Sequence, residues 1–505
     1  MKISTKISSI QDVSTDCFVI PLFQSEGGDK GKPIIPKEVK ELESLISDII
    51  DSKAFTAKLN TTLFLRNTRL FNAKNILLVG LGEWKSDYLS RVYAAAKCAG
   101  SVIRCEKVKS ATLYVSGFCK NKKGLDDDLT SQAAAGFFDS TYEFNEYKTE
   151  KEPISFNSLT FFSDQKSDEK YLKTGIENGE KIFQGLKLAK DLCNTPPNDL
   201  NPDKLVNWGK KATSQFDVKA TIFDTSRLEK EKMGGILGVG QGSKNQPRLL
   251  VLEYKGPKSS SKVCLVGKGV TFDTGGINIK PSPKMEDMKY DMSGSAIVIG
   301  TTLAAASLKL PIHLISIVPS AENMPSWDSY RPSDVIAMHN GKTVEINNTD
   351  AEGRLILADA LSYAHTFKPD VIVDAATLTG GVVIALGTVA AGVMGNSDEY
   401  IGQIKSSSEK VGEKVWHLPL YDEYKEDLQS GIADYRNSGG REASPSKGGT
   451  FLNFFIQKEQ PWVHLDIAGV AWAASSNPSG NCASGWGVRL LVDFLSNFKS
   501  MKSKK

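Results

Sequence analysis

Two short stretches of this 505-residue chain carry the residue types that metal-assisted hydrolysis requires. The first is Asn347-Asn348-Thr349-Asp350-Ala351-Glu352-Gly353-Arg354, lying between a strand-like run at 342–346 and a helix-like run at 355–361. Its two acids would share one face if the chain stayed extended between them. A strand, a short turn and then a helix is where an open α/β sheet presents its ligands, beyond the carboxyl ends of the strands. Taken alone, a pair of acids in a polar turn is better explained as a solvated loop or a helix N-cap.

The second stretch lies about eighty residues upstream. It runs from Val266 through Lys268, Asp273, Gly275-Gly276 and Lys280-Pro281, and continues to Met288-Lys289-Tyr290-Asp291-Met292-Ser293-Gly294. Singly, its charges have ordinary explanations. Lys268 and Lys280 would reach solvent, Asp273 would hold a glycine turn, and Asp291 would cap the helix starting near Ser293. Together with the first stretch, however, Asp273, Asp291, Asp350 and Glu352 are all expected at strand ends of one sheet. Four converging carboxylates without cations would repel one another and take up protons. Divalent ions such as Mn²⁺, Mg²⁺ or Zn²⁺ resolve that conflict, Mn²⁺ and Zn²⁺ being the usual choices for hydrolysis. Four carboxylates can hold two ions roughly 3.5–4 Å apart, an arrangement that activates water and polarises a carbonyl or phosphoryl oxygen. On the carboxylates alone, a peptidase and a phosphohydrolase both fit.

The elements that must position these residues read as alternating strands and helices. Apolar runs at 17–22, 74–82 and 110–115, with a small-residue helix at 91–102, predict a first α/β domain over residues 1–165. Helical spacing of apolar residues then predicts a linker helix within 166–194, stopped by Pro196-Pro197. Strands at 248–253, 263–266, 312–318 and 370–374, with helices at 294–308 and 355–365, predict a catalytic domain over 195–505. Its sheet is expected to be doubly wound, mixed and mainly parallel. The glycine runs at 80–82 and 238–242 match no nucleotide-binding pattern and read as turns.

Composition narrows the function classes. A net charge of +3 without a concentrated basic stripe gives nucleic-acid binding little support. Lys499, Lys502, Lys504 and Lys505 read as a frayed basic end. Seven scattered cysteines without a C-x-x-C pair argue for reduced thiols rather than zinc fingers or a disulfide scaffold. The five dispersed histidines form no H-E-x-x-H, and no G-x-S-x-G follows a strand, so neither a zincin nor a serine hydrolase is indicated. His464 reads as a satisfied core histidine. The N-terminus lacks a signal-peptide core, and the apolar run at 382–394 is too short to span a bilayer. A cytoplasmic protein without membrane partners is expected.

The first stretch, 348–355, resembles the signature of the leucine aminopeptidase (cytosol aminopeptidase) family. Val266-Gly267-Lys268-Gly269 through Pro281, residues 288–294, Glu322-Asn323-Met324-Pro325-Ser326, Ala376-Thr377-Leu378-Thr379-Gly380 and Asp466-Ile467-Ala468-Gly469 match it in order. The resemblance covers residues 175–495 and implies a macrodomain-like α/β fold for the N-terminal domain. It implies one ion on Asp273, Asp350 and Glu352, and a second on Lys268, Asp273, Asp291 and Glu352. Lys280 matches the family's electrophilic lysine, and Arg354 the arginine that holds a bicarbonate acting as general base. The substrate pocket maps to Met288, Thr377, Gly380, Ala468 and Ala471, which are small or apolar as a Leu-like side chain requires. Peptide substrates and a homohexamer are implied as well. Ser293, Trp327 and Ser333 stand where the family usually has glycine, and 443–450 is an unusual version of a loop.

Overall fold

Alternating apolar strands and helices build two units, one from Met1–Phe183 with Glu409–Gly412, the other from Gln184–Ser408 with Glu413–Lys505. The computed structural model describes residues 1–25, 32–85, 87–119, 124–150, 156–473 and 482–501. Lys502, Lys504 and Lys505 of the expected basic end lie outside these residues.

In the first unit, β1 (Lys2–Ile7), β2 (Thr15–Gln24), β3 (Pro33–Ile34), β4 (Thr62–Leu65), β5 (Ala73–Gly82), β6 (Ser110–Tyr114) and β7 (Ser158–Ser163) form one sheet. The order is β1-β7-β6-β2-β5-β4, with β3 beside β2. Its centre is parallel, and α1 (Leu42–Asp51), α2 (Tyr88–Cys105) and α3 (Asp127–Ser140) accompany it. The turn expected at Gly80-Leu81-Gly82 is instead the end of β5, because pairing with β2 persists as far as Phe23 opposite Gly82. The helix α4 (Glu169–Asn194) follows, and the division between the units falls within it.

The second unit adds α5 (Pro202–Thr213), β8 (Val218–Phe223), α6 (Thr225–Lys230), α7 (Gly234–Gly240), β9 (Arg248–Lys255), β10 (Lys262–Gly267) and β11 (Gly269–Asp273). Then come α8 (Ser293–Leu308), β12 (His313–Asn323), β13 (Val335–Ala337), β14 (Thr343–Glu345), α9 (Gly353–Ala364), β15 (Val371–Ala376), α10 (Gly380–Leu386) and β16 (Ala391–Gly395). The chain closes with α11 (Asp398–Val411), β17 (Val415–His417), β18 (Tyr435–Arg436), α12 (Ser444–Asn453), β19 (Trp462–Asp466), β20 (Trp472–Ala473), β21 (Cys482–Ala483) and α13 (Val488–Ser496). The main sheet runs β17-β16-β19-β15-β10-β12-β9-β8, with β11 beside β12. Its centre, β12-β10-β15-β19, is parallel, while the pairs β9–β12, β8–β9 and β16–β19 are antiparallel. The sheet is therefore mixed and mainly parallel.

The helix α8 is buried from Ser293 to Ser307. A helix that is apolar all round packs inside a core rather than along its surface. Met285–Leu308 is long and apolar enough to cross a membrane, yet its most apolar 18-residue stretch is 94% buried within the fold. Three expectations are corrected. Most of the glycine run at 238–242 is not a turn but the end of α7, whose first turn is held by the Asp359 carboxylate accepting from Ile236 N at 2.9 Å. Residues 444–450 are the first turns of α12 rather than a loop. The strand β14 lies outside the main sheet, because its partners are β13 and β18. Ser333, read as standing in place of a glycine, has φ 78°, a left-handed conformation that favours glycine.

Candidate metal centre

The acids reach one place from four different elements. Asp273 ends β11, and Asp350 lies in the turn after β14. Glu352 caps α9, and Asp291 sits in the 3-10 segment Met285–Met292 that leads into α8. They are therefore not all at strand ends of one sheet, and the backbone at Glu352 is helical, with φ −74° and ψ −39°, rather than extended. The turn nonetheless brings Asp350 and Glu352 to Asp273, with ligand oxygens of all three within 4.8 Å of one another. Asp291 does not cap α8. Its Oδ1 instead receives Lys268 Nζ at 2.8 Å and Thr377 Oγ1 at 2.8 Å.

The two lysines stand between the acids. Lys268 Nζ lies 2.8 Å from Asp291 Oδ1 and 2.8 Å from Glu352 Oε1, and donates to Thr377 O at 2.9 Å. Lys280 Nζ lies 2.7 Å from Asp273 Oδ2 and 2.5 Å from Asp350 Oδ1. Gly353 makes room for Lys268, since a Cβ there would fall 2.3 Å from Lys268 Cε. Gly275, at φ +86°, lets the chain turn back behind Asp273, and Gly275 N donates to Asp273 Oδ1 at 2.9 Å.

Burial and mutual repulsion set the charge states. Burial raises the Asp291 and Asp273 carboxyls, and burial together with Asp273 and Glu352 pushes Asp350 up to about 6. Burial works in the same direction on Glu352, but Lys268 and Lys280 outweigh it and hold its pKa low. Burial opposes the charge on Lys268, yet Asp291, Glu352 and Asp273 win and raise its pKa. Four carboxylates facing two ammoniums leave an excess of negative charge. Asp291 Oδ2 and Glu352 Oε2 are buried without a hydrogen-bond partner among the described residues. Orphaned carboxylate oxygens are costly unless a cation takes them. The donor set thus fits divalent metal ions, with oxygen ligands from the acids and one amine.

Arg354 is 7% exposed and donates Nη1 to Asn437 O at 2.7 Å. Its Nε has no partner, and no carboxylate pairs with it among the described residues. Burial lowers its pKa to about 10. A buried guanidinium with an open donor edge suits a small anion. Among the residues expected to line a substrate pocket, Thr377 touches the centre directly. Gly380 and Ala468 follow the neighbouring strands β15 and β19, where Asp466 accepts from Leu378 N, Thr379 Oγ1 and Ala468 N at 3.1, 2.6 and 3.3 Å. Met288 is half-buried in the 3-10 segment and Ala471 is buried beyond β19. No hydrogen bond or ion pair ties Met288, Gly380 or Ala471 to the four carboxylates among the described residues.

Sequence reasoning gave no role to the amides that hold the first stretch in place. The Asn437 side chain accepts from Asn347 N at 3.0 Å and donates to Asn348 O at 2.6 Å. Asn323 Nδ2 donates to Asp273 Oδ1 at 2.8 Å and Thr349 O at 3.1 Å. A single asparagine has no spacing signature. Asn323 was visible only as part of a matching motif. His464 is buried with Nδ1 2.6 Å from Asp374 Oδ1, as a core histidine, although its Nε2 has no partner.

Residues 187–492 match the model of the cytosol aminopeptidase family's catalytic domain, and residues 19–151 that of its N-terminal domain. The chain is 38% identical over 501 residues to a probable cytosol aminopeptidase of Geobacter sp. (strain M21), covering 98% of this chain and 99% of that one. It is also 38% identical to one of Syntrophotalea carbinolica, covering 96% and 97%. Among solved structures, a mutant of tomato leucine aminopeptidase is similar with a TM-score of 0.85 at 29% identity, covering 98% and 96%. The bottromycin maturation enzyme BotP in complex with Mn is similar at 0.82 and 27%, covering 96% and 99%.

Proposed function

Given that the chain belongs to the cytosol aminopeptidase family and is a metal-dependent aminopeptidase, we propose that it removes Leu-like residues from peptide N-termini with two divalent ions per chain. The observation that carries this reading is the convergence of buried Asp273 and Glu352 with half-buried Asp350, and oxygens left without partners among the described residues at Asp291 and Glu352. Asp273, Asp350 and Glu352 would hold one ion, and Lys268, Asp273, Asp291 and Glu352 the other. Mn²⁺ or Zn²⁺ suits these donors. When bound, such a pair lowers the pKa of water, polarises the scissile carbonyl and takes a substrate's free terminal amine through its lone pair, which would limit cleavage to the first residue.

The chain's own groups supply the rest. Lys280 offers a positive charge where the carbonyl oxygen becomes an oxyanion, a contribution of about 3–4 kcal/mol in comparable sites. Arg354, buried and without a carboxylate partner among the described residues, would hold a bicarbonate that takes a proton from the attacking water. Met288, Thr377, Gly380, Ala468 and Ala471 would line the side-chain pocket. We assign catalysis to residues 195–505, joined by the helix within 166–194 to an N-terminal domain at 1–165. Assembly as a cytoplasmic homohexamer completes the proposal. No concentrated basic stripe points to a nucleic-acid partner.

The test is a substrate panel with Mn²⁺ present: Leu-p-nitroanilide, N-acetyl-Leu-p-nitroanilide and p-nitrophenyl phosphate. Hydrolysis of the first alone is expected. Cleavage of the acetylated compound at a similar rate would refute recognition of the free amine, and preference for the phosphate ester would favour a phosphohydrolase.

A further inference from the structure

Asp273 and Asp350 lie 77 positions apart, one at the end of β11 and the other in the turn after β14, and a shared ion would require their oxygens to be held at a fixed separation. Lys280 bridges the two carboxylates and Thr349 Oγ1 donates to Gly275 O at 2.6 Å, and the buried side chain of Asn323 also reaches both segments. Asn323, the last residue of β12, is paired in register with Asp273 at the end of β11 and has no exposed surface. Its backbone carbonyl accepts from Thr274 N at 3.0 Å and Thr274 Oγ1 at 2.8 Å, which fixes it against the residue following Asp273. Its side chain then donates to Asp273 Oδ1 at 2.8 Å and, across to the other segment, to Thr349 O at 3.1 Å. Thr349 O also accepts from the Tyr330 hydroxyl at 2.6 Å, so the peptide leading into Asp350 is held by two donors.

The chemistry of the position is restrictive. Both groups that Asn323 meets, a carboxylate and a carbonyl, are acceptors only. The amide must therefore present its NH₂ to them, and its Oδ1 is left buried without a partner among the described residues. An aspartate here would add a fifth carboxylate against Asp273. An apolar residue would leave Asp273 Oδ1 with Gly275 N as its only partner among the described residues.

We infer that Asn323 is a positioning residue of the metal centre, whose carboxamide, alongside Lys280 and Thr349, holds Asp273 against the Asp350–Glu352 turn and fixes which Asp273 oxygen faces the ions. This rests on the assignment of Asp273, Asp350 and Glu352 as metal ligands. Hydrogen-bond partners of ligating groups commonly change metal affinity by about 10–100-fold when removed.

The experiment measures Mn²⁺ affinity and stoichiometry by equilibrium dialysis of the full chain, together with the thermal midpoint of the metal-free protein. It compares wild type with Asn323→Ala, Asn323→Leu and Tyr330→Phe. Asn323→Leu keeps the volume and removes the donors, so it carries the test if Asn323→Ala does not fold. The expected result is a loss of Mn²⁺ affinity of about 10–100-fold for at least one ion in the Asn323 variants. The loss should be smaller in Tyr330→Phe, which spares Asp273. The metal-free midpoint of Asn323→Leu should stay close to that of wild type. Unchanged Mn²⁺ binding in both Asn323 variants would overturn the role of Asn323 and leave the metal centre standing. A wild-type chain that takes up no Mn²⁺ would remove the ligand assignment itself, and this inference with it.

Discussion

At position 268 a lysine with a 3% exposed side chain is held between Asp291 and Glu352, and its aliphatic stem fills space that Gly353 leaves open. Only a neutral amine has a lone pair for a metal, so uptake at this site has to displace a proton from Lys268. Arginine keeps the charge but is effectively never deprotonated. Lys268→Arg should therefore lose metal at this site and lower kcat as severely as Lys268→Ala. The alanine variant, with two buried carboxylates left unpaired, should also lose about 3–5 kcal/mol of stability in the metal-free state. Metal stoichiometry and kcat of both variants across pH 6–9 check this, and retention of two ions by Lys268→Arg would remove Lys268 from the ligand set. Residue types and spacing alone suggested the four acids. Lys268 came from family resemblance, because a lone lysine in a glycine-rich turn is ordinarily a solvated one.

The helix α9 shows how an element serves the centre while obeying its own constraints. Its first turn carries Glu352 and Arg354, and one turn further on Asp359 points away to accept from Ile236 N and His339 N at 2.9 and 2.8 Å. Asp359 thereby links α9 to α7 and to the turn before β14. Burial pushes its carboxyl from the usual 3.8 up to about 7. The folded chain thus holds this proton more tightly than the unfolded chain. The contribution of Asp359 to stability is full below about pH 4 and is lost as pH rises through about 7. Urea midpoints of the metal-free protein from pH 4 to 8 should therefore show wild type losing stability relative to Asp359→Asn as pH rises. Parallel profiles would contradict the assignment.

Periodicity located α4, α8, α9 and the central strands, because apolar spacing reports burial directly. It placed β14 in the wrong sheet, since pairing with β13 and β18 depends on segments about ten and ninety residues away. For the same reason the glycine run ending α7 read as a turn, the Asp359 cap lying 123 positions away. The roles of Asn323 and Asn437 were equally invisible, being set by tertiary hydrogen bonds alone.

For the whole molecule, the proposed hexamer is supported by family membership and by large apolar side chains at the surface of the second unit. Ile384 is 75% exposed, Val389 65% and Trp416 65%. Light scattering should give a particle six times the 55.0 kDa chain mass at micromolar concentration. A monomer would refute the assembly.

The central claim, that these carboxylates work by holding metal, is tested most directly by following bound metal and Leu-p-nitroanilide hydrolysis together through a chelator titration, in wild type and in Glu352→Ala. The predicted result is two ions per wild-type chain, activity falling in step with their removal and returning with Mn²⁺ or Zn²⁺, and neither metal nor activity in Glu352→Ala. Full activity in wild-type protein stripped of metal would contradict it.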